Sequence, residues 1–122
     1  MYRFSNRSLE SLQGIDDRLI ILLGLMLEHS KYDFVVTEGL RTVERQKFLV
    51  KTGKSTTMNS KHIIGKAFDI AILVDEKITW EHKYYTEFAI EFKKLAKFLN
   101  FNVTWGGDWH SFVDCPHFQI ND

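Results

Sequence analysis

Asp69 lies inside the most strand-like segment of the chain, "KAFDIAIL" at residues 66–73, and this placement constrains the fold more than any other feature. An apolar run of this length, rich in Ile, Leu and Phe, predicts a strand in the core of a sheet. A buried carboxylate is unfavourable unless it is paired or bound to a cation. The segment therefore predicts a core strand that also carries a side chain in need of a partner.

The length and composition indicate one globular domain, residues 1–122, with one hydrophobic core. Hydrophobic residues make up 44% of the chain and aromatic residues 14%, which is typical of an ordered protein. Lys plus Arg equals Asp plus Glu at 16 each, so no nucleic-acid partner is expected. The single cysteine, Cys115, excludes a disulfide framework and a cysteine-rich zinc module. A metal site would therefore use His, Asp or Glu side chains.

The N-terminal residues contain no apolar run of the signal-peptide type, which predicts synthesis in the cytoplasm without a cleavable export signal. The longest apolar run, residues 19–27, lies between Arg18 and Glu28 and is too short to span a bilayer. We therefore expect no membrane insertion. We also expect a monomer.

The remaining pattern predicts a mixture of helices and short strands. Helices are predicted over residues 16–30, 42–53 and 83–100, the last with an apolar stripe that includes Phe88 and Phe92. Strands are predicted over 33–39, 66–73, 101–105 and 116–120, with a turn that leads into a short strand or a loop within 74–80. Because helices and strands do not alternate regularly, we expect an α+β fold in which about three helices pack on a small, mostly antiparallel sheet.

His62 stands seven residues before Asp69, and a bend between them would bring the two side chains together. A tight turn at Gly65-Lys66, with Gly in the first position of a type II′ turn, would place them opposite each other in a hairpin. Directly opposed residues have Cβ atoms about 4.5–5.5 Å apart, which suits a shared metal, and other bends at Gly65 would also bring the pair together. Taken alone, the pair is more typical of two hydrogen-bonded or surface residues than of metal ligands.

A second histidine, His117, occurs on the last predicted strand in the segment "DCPHFQ". Two histidines and one aspartate would supply three metal ligands and leave a fourth position for water, as in catalytic zinc sites. Asp114, three residues before His117, would then stand beside that water and move its proton.

These segments resemble a known family. "SKHIIGKAFDI" at 60–70 resembles the S-x-H-x-x-G-x-A-x-D pattern of zinc peptidases related to D-alanyl-D-alanine carboxypeptidases, and "DCPHFQ" resembles their second motif. "EGLRT" at 38–42 followed by Gln46 resembles the G-x-R-[ST]…Q segment, and "WGGDW" at 105–109 is similar to the approach to the final motif. In size and layout the chain is similar to the single-domain phage L-alanyl-D-glutamate endopeptidases of this family.

The resemblance implies the hedgehog/D-Ala-D-Ala-peptidase-like α+β fold and a site with one Zn²⁺. It implies that His62, Asp69 and His117 are the zinc ligands. It also implies that Asp114 is the general base and acid and that Arg41 lies near the scissile carbonyl or a substrate carboxylate. Many relatives have Glu where this chain has Asp114, which is shorter by one methylene.

Other residues near these motifs have two readings each. The alternative to a role of Arg41 at the site is a surface ion pair with Glu38 or Glu44. Cys115 is more typical of a small buried residue than of a nucleophile. Five further residues are candidates for contacts with the substrate or with the metal ligands: Ser60, Gln46, Asp108, Trp109 and His110. The alternative for each is a role only in packing, in a turn or in a loop.

The resemblance implies a zinc-dependent peptidoglycan endopeptidase, a phage endolysin that hydrolyses the L-alanyl-D-glutamate bond of the stem peptide. The alternatives are a carboxypeptidase that removes the terminal D-Ala, a non-catalytic zinc-binding wall module, and a metal-free interaction domain. The presence of both Asp114 and Arg41 favours an enzyme over a module. The absence of an export signal favours a lysin that is made in the host cytoplasm and acts on the wall in the periplasm after release.

Overall fold

Five strands and four α-helices make up the fold in the computed structural model, which describes residues 2–122. The strands are β1 (Asp33–Glu38), β2 (Ala67–Val74), β3 (Lys77–Thr79), β4 (Val103–Trp105) and β5 (His117–Ile120). The helices are α1 (Asn6–Ser11), α2 (Asp17–His29), α3 (Val43–Lys51) and α4 (His82–Phe98). The predicted α+β class is confirmed. Within residues 2–122, no helix is both long and apolar enough to cross a bilayer.

Strand β2, which contains the apolar run around Asp69, is the centre of the sheet. The strand order is β1-β2-β5-β4, and β3 pairs with the distal half of β2. All of these pairings are antiparallel. The most strand-like segment of the sequence is therefore also the strand with the most neighbours.

The two faces of β2 have different surroundings. Phe68, Ile70 and Ile72 alternate along one face and are fully buried in the core with residues of α2 and α4. Asp69 points to the opposite face. Because directly paired residues share a face, the register places His117 of β5 and Glu38 of β1 beside Asp69.

Helix α2 begins at Asp17, and the preceding residue, Asp16, caps it. The Asp16 carboxylate accepts hydrogen bonds from the Arg18 backbone N–H and from the Arg18 guanidinium, each at 2.9 Å. This guanidinium lowers the pKa of Asp16 to about 2, against the opposing effect of burial. The helix buries Leu19, Leu22, Leu23 and Met26, whereas Ile21 is 50% exposed, so the apolar run is not covered on every side.

The predicted hairpin at Gly65-Lys66 is wrong. Residues Lys61–Ile64 form one turn of 3-10 helix, with the Ser60 hydroxyl accepting the His62 N–H at 3.2 Å. Gly65 ends the turn with φ +71°, and a Cβ there would lie 2.4 Å from the Gly14 carbonyl oxygen. Ile64 is 59% exposed and does not face Ala67. The chain therefore enters β2 from a helical turn that is packed against a distant loop.

Helix α1 was not predicted, because its sequence has only one large apolar residue and no clear periodicity. Ser8, which is fully buried, anchors this helix to the rest of the protein. The Ser8 hydroxyl accepts the Val36 backbone N–H at 2.9 Å. This bond satisfies a donor on β1, which is an edge strand of the sheet.

Candidate metal centre

Three side chains converge on the face of the sheet opposite the core. His62 Nε2 lies 3.1 Å from His117 Nδ1, and Asp69 Oδ1 lies 3.3 Å from the first and 3.4 Å from the second. Both imidazoles are buried. The structure therefore brings together the two histidines and the aspartate that the motifs predict as ligands.

A different element positions each of the three. Asp69 is held in the middle of β2, and His117 is the first residue of β5, directly opposite it. His62 reaches the same point from the 3-10 turn, and its own backbone carbonyl accepts the Arg41 N–H at 2.9 Å. Pro116 precedes His117, and its carbonyl accepts the Ile70 N–H at 3.1 Å, which extends the pairing of β2 with this segment.

The outer nitrogen of each imidazole is bound to an oxygen. His62 Nδ1–H donates to the Gly39 carbonyl at 2.8 Å, and His117 Nε2–H donates to Gln119 Oε1 at 2.8 Å. The Gln119 amide is oriented by its own bond to Asn121 Oδ1 at 3.1 Å. Because the outer nitrogens donate to these oxygens, the inner nitrogen of each ring, in the neutral form of that ring, presents a lone pair to the other ring and to Asp69.

This arrangement of three acceptors fits a cation. Asp69 Oδ1 is buried and has no hydrogen bond within residues 2–122. Burial opposes ionisation of Asp69, but the hydrogen bonds and positive charge that the two imidazoles supply when protonated hold the pKa of its carboxyl well below its usual range. Burial likewise opposes the charge on His117, but Asp69 raises the pKa of that imidazole. Two nitrogens and one carboxylate oxygen, converging without a donor between them, are a donor set that suits zinc.

Arg41 lies next to this centre and is already held by two partners. Its Nε and Nη2 donate to the Glu38 carboxylate at 2.7 and 2.8 Å, and Nη1 donates to Gln46 Oε1 at 2.8 Å. Its side chain is only 8% exposed, and Nη2 lies 3.7 Å from Asp69 Oδ2. The expected pair with Glu38 thus forms, but beside the candidate metal centre and not on the open surface.

Gln46 connects Arg41 to the polar loop that follows α3. It is fully buried, although its helix is otherwise mostly exposed. Its amide nitrogen donates to the Thr57 carbonyl at 2.6 Å and to the Ser55 hydroxyl at 2.9 Å. Gln46 therefore positions both Arg41 and this loop.

A cleft of about 730 Å³ opens over the three converging side chains. The loop after α3 forms one wall, and the segment before β5 forms the other. Ser60, Trp109, His110 and Asp114 line the cleft. The Trp109 ring lies 5.0 Å from the His117 ring, centroid to centroid. The volume suits a short peptide in an extended conformation.

Asp114 is held at the cleft by the turn that precedes β5. Its N–H donates to the Gly106 carbonyl at 3.1 Å, and its carbonyl accepts the His117 N–H at 3.1 Å. Gly106 allows this approach, because a Cβ there would lie 2.3 Å from the Asp114 carbonyl oxygen. Burial and the charge of Asp69 raise the pKa of Asp114, against the opposing charges of His117, His62 and Arg41.

Two residues near the motifs lie away from the centre. Asp108 is exposed, pairs with Lys93 and does not hold a ligand histidine. Cys115 is partly buried, with Sγ 3.0 Å from His82 Nδ1. Burial and the charge of Asp114 raise the pKa of the thiol, which is the opposite of nucleophile activation.

The sequence reasoning missed the residues that orient the histidines. The Gly39 carbonyl is a backbone group and has no side-chain signal. Gln119 does have a signal in the sequence. It stands two residues after His117 on the same strand, and strand alternation therefore places the two side chains on the same face. A polar residue two positions after a candidate ligand on a short strand is a usable indication of such a partner.

Comparisons with known proteins identify the family of the chain. The sequence profile of the phage L-alanyl-D-glutamate peptidase family matches residues 1–119. The L-alanyl-D-glutamate peptidase of Listeria phage A118 is 33% identical over 97% of the chain, and this match spans 42% of that relative. The peptidoglycan L-alanyl-D-glutamate endopeptidase CwlK of Bacillus subtilis (strain 168) is 34% identical over 72% of the chain and 60% of that relative.

A solved structure shows the same fold in a protein of similar size. The crystal structure of the Serratia marcescens L-Ala D-Glu endopeptidase ChiX superposes with a TM-score of 0.90. It is 37% identical, and the match covers 98% of this chain and 90% of that one. The similarity therefore extends over the whole sheet and all of the elements that carry the converging side chains.

Proposed function

Because the chain belongs to the phage L-alanyl-D-glutamate peptidase family, we propose that it is a zinc-dependent endopeptidase that hydrolyses the L-alanyl-D-glutamate bond of peptidoglycan stem peptides. The observation that carries the proposal is the convergence of His62 Nε2, His117 Nδ1 and Asp69 Oδ1 at the base of a peptide-sized cleft. Its place of action is the bacterial cell wall.

The proposed metal site consists of these three side chains and one zinc ion. When bound there, zinc supplies Lewis acidity, which polarises a carbonyl group and makes water more acidic. The protein supplies the geometry. Hydrogen bonds from the outer nitrogens to the Gly39 carbonyl and to Gln119 keep both lone pairs directed inward.

Asp114 is the proposed general base and acid. It lines the cleft, and its raised pKa brings the carboxyl closer to the neutral range in which proton transfer in both directions is efficient. Asp114 accepts the proton of the attacking water and returns it to the nitrogen of the leaving D-glutamyl residue. The hydrogen bond from its backbone N–H to the Gly106 carbonyl holds Asp114 at the wall of the cleft.

Arg41 is the proposed electrostatic stabiliser. Glu38 and Gln46 take three of its five N–H groups, so one N–H of Nη1 and one of Nη2 remain, and Nη2 lies 3.7 Å from Asp69 Oδ2. A guanidinium held rigidly by its partners stabilises negative charge that develops on the carbonyl oxygen without first having to reorganise.

The experiment that tests the proposal is mass spectrometry of muropeptides after digestion of purified peptidoglycan. The expected products are glycan strands that keep only L-Ala and released peptides that begin with D-Glu. Loss of a single terminal D-Ala would instead identify a carboxypeptidase, and an unchanged digest would refute a peptidase.

A further inference from the structure

The cleft has two basic side chains that no acidic side chain in the described part of the chain pairs with. Lys54 and Lys61 both line it, and within residues 2–122 neither forms an ion pair. Arg41 is already balanced by Glu38. Unpaired lysines in a concave site indicate a ligand that brings its own negative charge.

Lys61 is the better positioned of the two lysines. It directly precedes His62 on the 3-10 turn, and its carbonyl accepts the Lys66 N–H at 2.9 Å. Its side chain is half-buried, whereas Lys54 is exposed on the loop after α3. Since an ionic contact strengthens as water is excluded, Lys61, the less exposed of the two lysines, is the stronger anion-binding residue.

The proposed substrate has a matching carboxylate. A glutamyl residue has two carboxyl groups, and only one of them continues the peptide chain. The other remains as a free carboxylate on the residue that follows the scissile bond. It therefore lies in the same cleft as the scissile bond, and Lys61 lines this cleft.

We propose that Lys61 binds the free carboxylate of the D-glutamyl residue and thereby sets the specificity for that residue. The inference rests on the proposed function and names a recognition contact within the same cleft. Arg41 is less suited to this contact, because Glu38 and Gln46 already take three of its N–H groups and its side chain is only 8% exposed. A cation that lacks its carboxylate partner in a partly buried site disfavours the neutral analogue.

The test compares two synthetic stem peptides, one with the free glutamyl carboxylate and one in which that group is a primary amide. The wild type should prefer the acid by about 10- to 100-fold in kcat/KM, the range expected for a charge-assisted hydrogen bond. In Lys61→Gln this preference should fall towards one. The zinc content of the variant, measured separately, should stay at the wild-type level.

Two further variants make the outcomes distinct. Lys51→Gln, at the exposed end of α3 and outside the cleft lining, should keep the wild-type preference. If Lys54→Gln loses the preference while Lys61→Gln keeps it, the inference is overturned. Equal cleavage of both peptides by the wild type also overturns it, whereas cleavage of neither peptide would count against the proposed function itself.

Discussion

Single atoms decide what the site can bind. Neutral histidine has one donor and one acceptor nitrogen, and the Gly39 carbonyl and Gln119 Oε1 each take the donor. Only acceptors are then left facing Asp69 Oδ1. The cluster therefore favours a cation because of the orientation of its protons, and not merely because two histidines and an aspartate are near one another.

Asp114→Asn should abolish cleavage while leaving the zinc content unchanged. An amide of the same size cannot accept the proton of water, and removal of a general base costs about 10²- to 10⁴-fold in rate. The measurement is kcat on purified peptidoglycan together with zinc analysis of the same protein sample. Asp108→Asn, at an exposed ion pair outside the cleft, is the matched control and should keep full activity. Full activity of Asp114→Asn would remove Asp114 from the mechanism.

Alternation along short strands determines which side chains the elements bring together. On β5, His117 and Gln119 share the site face while Phe118 and Ile120 are buried in the core. Thr104 of β4 lies opposite Gln119, and the Asn121 amide donates to the Thr104 hydroxyl at 2.8 Å. A row of polar groups thus crosses from the sheet edge to the candidate metal ligand.

Gln119→Ala should weaken zinc binding by about 10- to 100-fold, as expected when the partner of a ligand histidine is removed. The His117 ring would then lose the bond that fixes its protonated nitrogen. Competition with a chromophoric chelator measures the affinity directly. Gln13→Ala, at an exposed position in the turn after α1, should bind zinc like the wild type. Unchanged affinity in Gln119→Ala would show that strand packing alone orients His117.

Asp16→Asn should reduce stability at neutral pH by about 1–2 kcal/mol once solvent screening of the Arg18 pair is allowed for. The pKa of Asp16 is about 2 in the folded protein and about 3.9 in an unfolded chain. A lowered folded-state pKa contributes stability above the unfolded value and loses it as the pH falls through the folded one. The difference between wild type and variant should therefore shrink between about pH 4 and pH 2. Urea unfolding at several pH values tests this, and a pH-independent difference would contradict it.

At the scale of the whole molecule, the sequence predicts the strands and long helices better than the turn that brings His62 to the sheet. The apolar run of β2 and the stripe of α4 are local patterns, and both were predicted close to their observed bounds. The turn that carries His62 depends on contacts with Gly39 and Gly14, which lie far away in the sequence. Local turn preferences at Gly65 therefore favoured a hairpin that the tertiary contacts do not allow.

Removal of zinc should destabilise the entire fold, because the site joins the turn at His62 to the centre of the sheet. An ion that binds only the folded state contributes about 2.7 kcal/mol when its free concentration is 100 times its Kd. Thermal unfolding with and without chelator should show a clear fall in Tm for the wild type. His62→Ala should already have the lower Tm and respond little to chelator. Equal chelator sensitivity in both proteins would place the stabilising metal elsewhere.

The central claim is that one ion lies between three specific atoms, and anomalous diffraction from zinc-soaked crystals at the zinc edge tests it most directly. We predict a single strong peak in this cleft, about 2.0–2.2 Å from His62 Nε2, His117 Nδ1 and an oxygen of Asp69. A cleft without a peak, or a peak bound through the outer nitrogens that now contact Gly39 and Gln119, would contradict the account.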